Sequence, residues 1–316
     1  MGGLRERWNE AVGGIEPVIP KGPERPPYST IGTAFDYRLR FALDADADIG
    51  GLLATVPAQI LSLLASVDGP FVAGPKGPFV LRPRFQILDE RPSDLNLELL
   101  AALRGVPPSG VEIGGLLPEY FLTLSHDLDR IEPEGKRLQP EDEELLDRHC
   151  YVLALLDELF RGGYHIRSPL YDTPPHGLLE LGANWSQDLA TLYGLFWDKH
   201  RSLFDLPVTT NPHFAGSAAI GGADADLIID NQLIDIKTTI KKTLRREWMW
   251  QLIGYLLLDW DDAHEISGLG LYSSRHGVLV TWPLNEFLVH AANQTPRTIA
   301  GLRDEFREIV VKQERI

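Results

Sequence analysis

Between residues 225 and 282 the apolar residues change their spacing twice, and few folds accommodate that order. Residues 225–229 and 233–236 are β-type runs parted by a turn around Asp230-Asn231-Gln232. A helical pattern follows over about 244–258. Two more strands, 268–272 and 277–282, flank the turn Ser273-Ser274-Arg275-His276. Strand, strand, helix, strand, strand predicts an α/β layer structure, a mixed β-sheet flanked by helices. Arg275 and His276 are expected on the surface of their turn.

The rest of the chain is mostly helical in pattern. Residues 141–161 predict a strong amphipathic helix stopped by Gly162-Gly163, and 184–204 predict another. A closing amphipathic helix is expected from about Pro283 to the end. Upstream, 29–40, 51–66 and 93–104 suggest helices, with a Gly- and Pro-rich loop at 69–84. A second loop is expected around Pro107, Pro108 and Gly110. Residues 16–27 hold five prolines and suggest an extended linker or arm. The expected organisation is a mainly helical N-terminal region of unassigned role, 1–140, and an α/β core, 141–316.

Composition narrows the function. With 30 Lys and Arg against 45 Asp and Glu, the formal charge is −15. Proteins that coat nucleic acid do so by neutralising phosphate, which this balance disfavours. A local basic groove is still compatible with it, aided by metal ions or a protein partner, or by a second copy of the chain. The one cysteine, Cys150, excludes an internal disulfide and a cysteine-ligated cluster. Its apolar neighbours make it a small buried hydrophobe. No apolar run approaches the roughly 20 residues needed to cross a bilayer. With a charged N-terminus, a cytoplasmic protein that uses no membrane is the expectation. Walker A, His-Glu-x-x-His, nucleophile-elbow and dinucleotide signatures are missing from the sequence.

Asp235 and Lys237 lie two apart on one strand, so they share a face with Leu233. An acid and a lysine inside an apolar strand are costly unless paired or bound to a metal. A two-residue turn at Asp230-Asn231 sets Asp226 opposite Asp235. A turn at Asn231-Gln232 sets it opposite Lys237. Both place Asp226 on the same face, whereas a three-residue loop would break the match. Asp224 shares the parity nearer the strand end and competes with Asp226. Two carboxylates beside a lysine suit phosphodiester hydrolysis. The acids hold Mg2+ or Mn2+, with the Ile236 carbonyl as a further oxygen ligand. The lysine orients the attacking water or balances developing charge. On the next helix Leu244, Trp248, Gln251, Tyr255 and Leu258 form one face, so Gln251 and Tyr255 are polar members of an apolar stripe. Lys241, Lys242, Arg245 and Arg246 gather at the helix start, the end where cations are disfavoured, which suits contact with DNA phosphates.

The order Gly-Gly-Ala-Asp224-Ala-Asp226-Leu-Ile-Ile, then Asp235-Ile-Lys237, then Gln251-Leu-Ile-Gly-Tyr255 resembles the PD-(D/E)XK nuclease superfamily. Its Gln-x-x-x-Tyr element resembles the RecB-like branch. The resemblance implies a restriction-endonuclease-like core, Mg2+ dependence and hydrolysis of DNA, in repair or anti-phage defence. It implies that Asp226, Asp235 and Lys237 are catalytic, and that Gln251 and Tyr255 contact DNA or support the site. The family adds an acid or histidine from a preceding helix. Glu158 and Asp188 are the foremost candidates, with Glu180 and His149 behind them. The alternative is a nuclease-fold protein that binds nucleic acid or scaffolds a complex without cutting.

Overall fold

A computed structural model describes residues 2–20, 26–44, 54–58, 61–62, 108–163, 167–172, 177–220, 222–291 and 298–313. The helix expected over 93–104 and the loop over 69–84 lie outside these residues. The described helices are α1 (Gly2–Val12), α2 (Tyr28–Leu43), α3 (Pro108–Gly114), α4 (Leu117–Ile131), α5 (Pro140–Gly162), α6 (Glu180–Ala183) and α7 (Ser186–His200). Then come β1 (Val208–Thr210), β2 (Leu227–Ile229), β3 (Gln232–Lys237), α8 (Arg246–Leu258), β4 (Gly268–Ser273), β5 (Val278–Pro283), α9 (Leu284–Ala291) and α10 (Ile299–Gln313). Where the sequence suggests a loop around Pro108, the chain forms α3. Proline is compatible with a helix's first turn, because that N–H has no helical partner.

The chain forms two compact units. One joins residues 1–21 to 191–316, the other spans 22–190, and the division falls inside α7. This differs from the 140/141 split read from the sequence. The amphipathic α1 buries Leu4, Trp8 and Val12 in the core of the sheet unit. Helix α5 packs instead on α2 in the other unit.

In the 22–190 unit, α5 carries Glu141, Asp142 and Glu143 in its first turn and Arg161 in its last, matching the helix dipole. Gly163, at φ 84°, ends it in a conformation that other residues rarely adopt. The seam between α2 and α5 is polar. The fully buried Arg38 meets Glu143 at 2.8 Å and Asp147 at 3.4 Å. Tyr37 donates to Asp157. On α5, His149 is buried between Tyr120 and Asp127, with Nε2 3.0 Å from the Asp127 carboxylate. Burial lowers its pKa, and the Asp127 hydrogen bond only partly opposes this. The stability that comes from keeping His149 neutral is present above the ordinary histidine value, about 6.5. It is lost as pH falls below that toward the depressed folded value. Urea midpoints measured from pH 8 to 5 are expected to fall on the acid side. His149→Gln is expected to flatten that limb by up to ~1.4 kcal/mol per pH unit.

In the other unit, five strands run in the order β1-β2-β3-β4-β5. All neighbours are antiparallel except β3 and β4, which are parallel and joined through α8. The sheet is therefore mixed. One face, with Ile228, Leu233, Leu269, Leu271, Val280 and Trp282, packs on residues of α1, α8 and α9. On the other face Tyr272 meets Phe196 and His200 of α7. The closing segment forms two helices, α9 and α10. Among the described residues no helix is long and apolar enough to cross a membrane.

Candidate functional site

The β2–β3 hairpin fixes the site. Its register pairs Ile229 with Gln232, Ile228 with Leu233 and Leu227 with Ile234. The turn is therefore Asp230-Asn231, the first of the two possibilities, and both residues have positive φ, 48° and 60°. Such a two-residue turn matches the twist of paired strands, and Asp and Asn tolerate it best after glycine. One step further along the ladder, Asp226 stands opposite Asp235.

Asp226 precedes β2 and ties it to both neighbours. Its carbonyl accepts from the Asn211 N–H on the β1 side at 3.0 Å. Its Oδ2 accepts from the Ile236 N–H at 2.6 Å. The carboxylate thus takes the place of a backbone carbonyl where the ladder ends. A strand residue points its N–H and C=O to the same edge, so the Ile236 carbonyl faces the Asp226 side too. Asp224 takes another partner. It forms an isolated bridge with His213, whose Nδ1 lies 3.6 Å from its Oδ1.

Asp235 is 1% exposed, on the face of Leu233 and under α8. Lys237 forms an ion pair with its Oδ2. Lys237 Nζ also donates to Gln251 Oε1 at 2.9 Å. Gln251 Nε2 donates to the Tyr255 hydroxyl at 2.7 Å, and the Tyr255 ring stacks on Phe214. An unbroken chain thus runs from Asp235 through Lys237 and Gln251 to Tyr255. Tyr255 is buried, whereas Gln251 is exposed, so the polar stripe on α8 opens to solvent in its middle. The chain lies at the carboxyl end of β3, where open α/β sheets commonly place ligands.

The four cations divide. Lys242 bonds Gly13 O at 3.2 Å and Glu16 at 3.1 Å, so it is held by the arm after α1. Lys241, Arg245 and Arg246 are exposed. Glu158 and Asp188 belong to the other unit. Glu158 accepts from Thr30, and burial raises its pKa. Asp188 is buried in the first turn of α7. Glu180 pairs with Arg148. His149 has the partners already described.

The β4–β5 turn is a correction to the sequence reading. Arg275 and His276 are 0% and 1% exposed. The arm after α1 lies over the turn, with the Val18 N–H donating to Arg275 O at 2.7 Å. Lys199 and His200 donate to the carbonyls of His276 and Gly277. Inside, Ser273 Oγ lies 2.7 Å from His276 Nδ1. Ser274 bonds Lys237 O through its N–H and Thr238 through its hydroxyl. The buried turn therefore buttresses the strand end that carries Lys237. The run Ser-Ser-Arg-His carries no hydrophobic mark of burial, because its cover comes from residues far away in the chain.

The donor set suits a hard divalent cation. Asp226, Asp235 and the Ile236 carbonyl offer only oxygen, and two carboxylates lie across one ladder from each other. Each of those carboxylates now holds an internal cation or N–H with its Oδ2. Among the described residues no three His, Cys, Asp or Glu side chains converge. No family model, curated protein or solved structure matches the chain.

Proposed function

We propose that the chain is a metal-dependent nuclease with a restriction-endonuclease-like core that hydrolyses phosphodiester bonds in DNA. The observation that carries this reading is the hydrogen-bonded chain Asp235–Lys237–Gln251–Tyr255, with Asp226 across the ladder. A half-buried lysine is costly unless it is paired, and this one is held by a buried acid on one side and an exposed amide on the other. Gln251 fixes the Lys237 ammonium toward solvent, where it orients a water or a phosphate oxygen. Tyr255 fixes the Gln251 amide, so the ammonium meets its oxygen rather than its NH2. Asp226, Asp235 and the Ile236 carbonyl would hold Mg2+ or Mn2+, which would supply Lewis-acid activation of phosphate and water. A biological role in repair or anti-phage defence, and a protein partner, belong to the same proposal.

A second reading, binding without cutting, draws on the structural task of Asp226 as acceptor for the Ile236 N–H. Incubation of linear, circular and single-stranded DNA, and of RNA, with Mg2+, Mn2+ or EDTA separates the two. DNA cleavage that EDTA abolishes is the expected outcome, and no cleavage with either metal favours the second. Asp226→Asn is expected to cut about 100-fold more slowly, the scale of lost charge stabilisation at a metal. Asp224→Asn, which loses a His213 contact instead, is expected to stay within about tenfold of the parent. The reverse order would reassign the first acid.

A further inference from the structure

Helix α8 carries Gln251 and Tyr255, and a buried guanidinium from α10 holds its last turn. Arg303 is 5% exposed. Its Nε donates to the Leu256 carbonyl at 3.1 Å, its Nη2 to Asp259 at 2.9 Å and its Nη1 to Asp262 at 2.6 Å. Asp259 caps the helix and is buried, whereas Asp262 is largely in water. The Leu256 carbonyl needs this donor. Its ordinary helical partner, the Trp260 N–H, bonds the Leu258 carbonyl instead, at 2.9 Å. The Gly216 N–H meets that same Leu258 carbonyl at 2.9 Å. It lies two residues after Phe214, whose ring stacks on Tyr255. One turn further along α10, Arg307 lies over the Trp260 ring.

Stability alone does not call for this arrangement. Apolar groups of similar volume often replace a buried ion pair without loss. A planar fork on three acceptors adds direction, because each bond fixes the guanidinium in a different line. It sets α8 both along its axis and in rotation about it. Tyr255 is next to Leu256, and Gln251 lies one turn before Tyr255. A rotation of about 20° carries a group about 6 Å from the helix axis through about 2 Å. That parts Gln251 Oε1 from Lys237 Nζ, now 2.9 Å apart.

We infer that Arg303 is a positioning residue of the Lys237 site: by holding the last turn of α8 it keeps Gln251 and Tyr255 where they fix the Lys237 ammonium. It touches no substrate and acts through the helix alone. The inference rests on the nuclease reading and gives the closing helix α10 a task in that chemistry.

The test uses the full chain with Arg303→Met/Asp259→Asn, which removes both charges together. Its urea midpoint is expected to stay near the parental one. DNA cleavage is expected to fall about tenfold or more in kcat, the scale of a displaced catalytic group, with KM held within about twofold. In a Gln251→Ala background the same double change is expected to cost nothing further, because the helix then has no amide to place. Arg303→Lys, which keeps a cation beside Asp259 without the fork, is expected to lower kcat severalfold and serves if the double variant does not fold. Parental kcat in either folded variant overturns the inference and leaves the nuclease. A full further loss on top of Gln251→Ala overturns it too, since Arg303 would then act by another route. A parent that never cuts removes the nuclease reading instead. NMR of 13C-labelled lysine then reads the positioning directly, with the Lys237 signal assigned by its loss in Lys237→Arg. That signal is expected to move toward those of exposed lysines in the double variant, and an unmoved signal overturns the inference.

Discussion

Lys237→Met is expected to lower DNA cleavage by about 1000-fold or more, because it removes the cation that the Asp235–Gln251 arrangement holds at the strand end. It is also expected to destabilise the fold. Asp235 is 1% exposed and has Leu233 beside it on the same face. Removing one partner of such a pair leaves an uncompensated buried charge, which costs about 3 kcal/mol or more. Replacing both partners by uncharged groups of similar shape costs far less, because the desolvation penalty goes with the charge. The double variant Asp235→Asn/Lys237→Met should therefore recover most of the stability and none of the activity. Urea unfolding beside a cleavage time course measures both. Cleavage by Lys237→Met at the parental rate would remove Lys237 from the chemistry. An active double variant would remove the whole pair.

Arg38→Met is expected to be the most damaging single change in the other unit, at about 3–5 kcal/mol. Arg38 and Asp147 are both 0% exposed, and Arg38 also holds Glu143 at 2.8 Å. Without the guanidinium two acids face each other at the α2–α5 seam. Arg38→Lys is not expected to rescue, since one ammonium does not reproduce a planar fork reaching two carboxylates. The loss should ease in acid. Burial raises the Asp147 pKa, and Arg38 is the chief opposing influence. A carboxyl raised in the folded state contributes stability that is fully present below its unfolded value, about 4, and is lost as pH rises through the raised value. Chemical unfolding of parent and variant at pH 4.5 and 7.5 should show a smaller gap at the lower pH. A gap that widens in acid would mean that the pair is not what holds the seam.

Sequence made the shared face of Asp235 and Lys237 legible because a strand has a period of two. Asp235 and Lys237 share a face in any fold in which 233–237 is a strand. Gln251 and Tyr255 were legible for the same kind of reason, a period of 3.6. Their bond to Lys237 was not, because it depends on how α8 crosses β3. The hairpin register stayed open between two turns. Two adjacent residues in the left-handed region decide it, and Asp-Asn signals that less strongly than Asn-Gly. The placement of α1 was hidden because Leu4, Trp8 and Val12 mark an amphipathic face without naming the surface it covers. The buried Arg275 and His276 were hidden for the converse reason, since their cover comes from residues around 18 and 199–200. Glu158 and Asp188 lie in helices of the 22–190 unit, and helical periodicity does not by itself say which unit a helix joins.

The Asp230-Asn231 turn makes this hairpin sensitive to length in a way that it is not sensitive to composition. Glycine at either position would keep the left-handed backbone, and Asp226 would still face Asp235. Loss or gain of a single residue there shifts the pairing by one and turns Asp226 toward the opposite face of the sheet. The Ile236 N–H would lose its acceptor in the same step. Variation that spares the site can therefore enter by substitution at this turn but not by insertion or deletion, even though the turn itself contributes no reacting group.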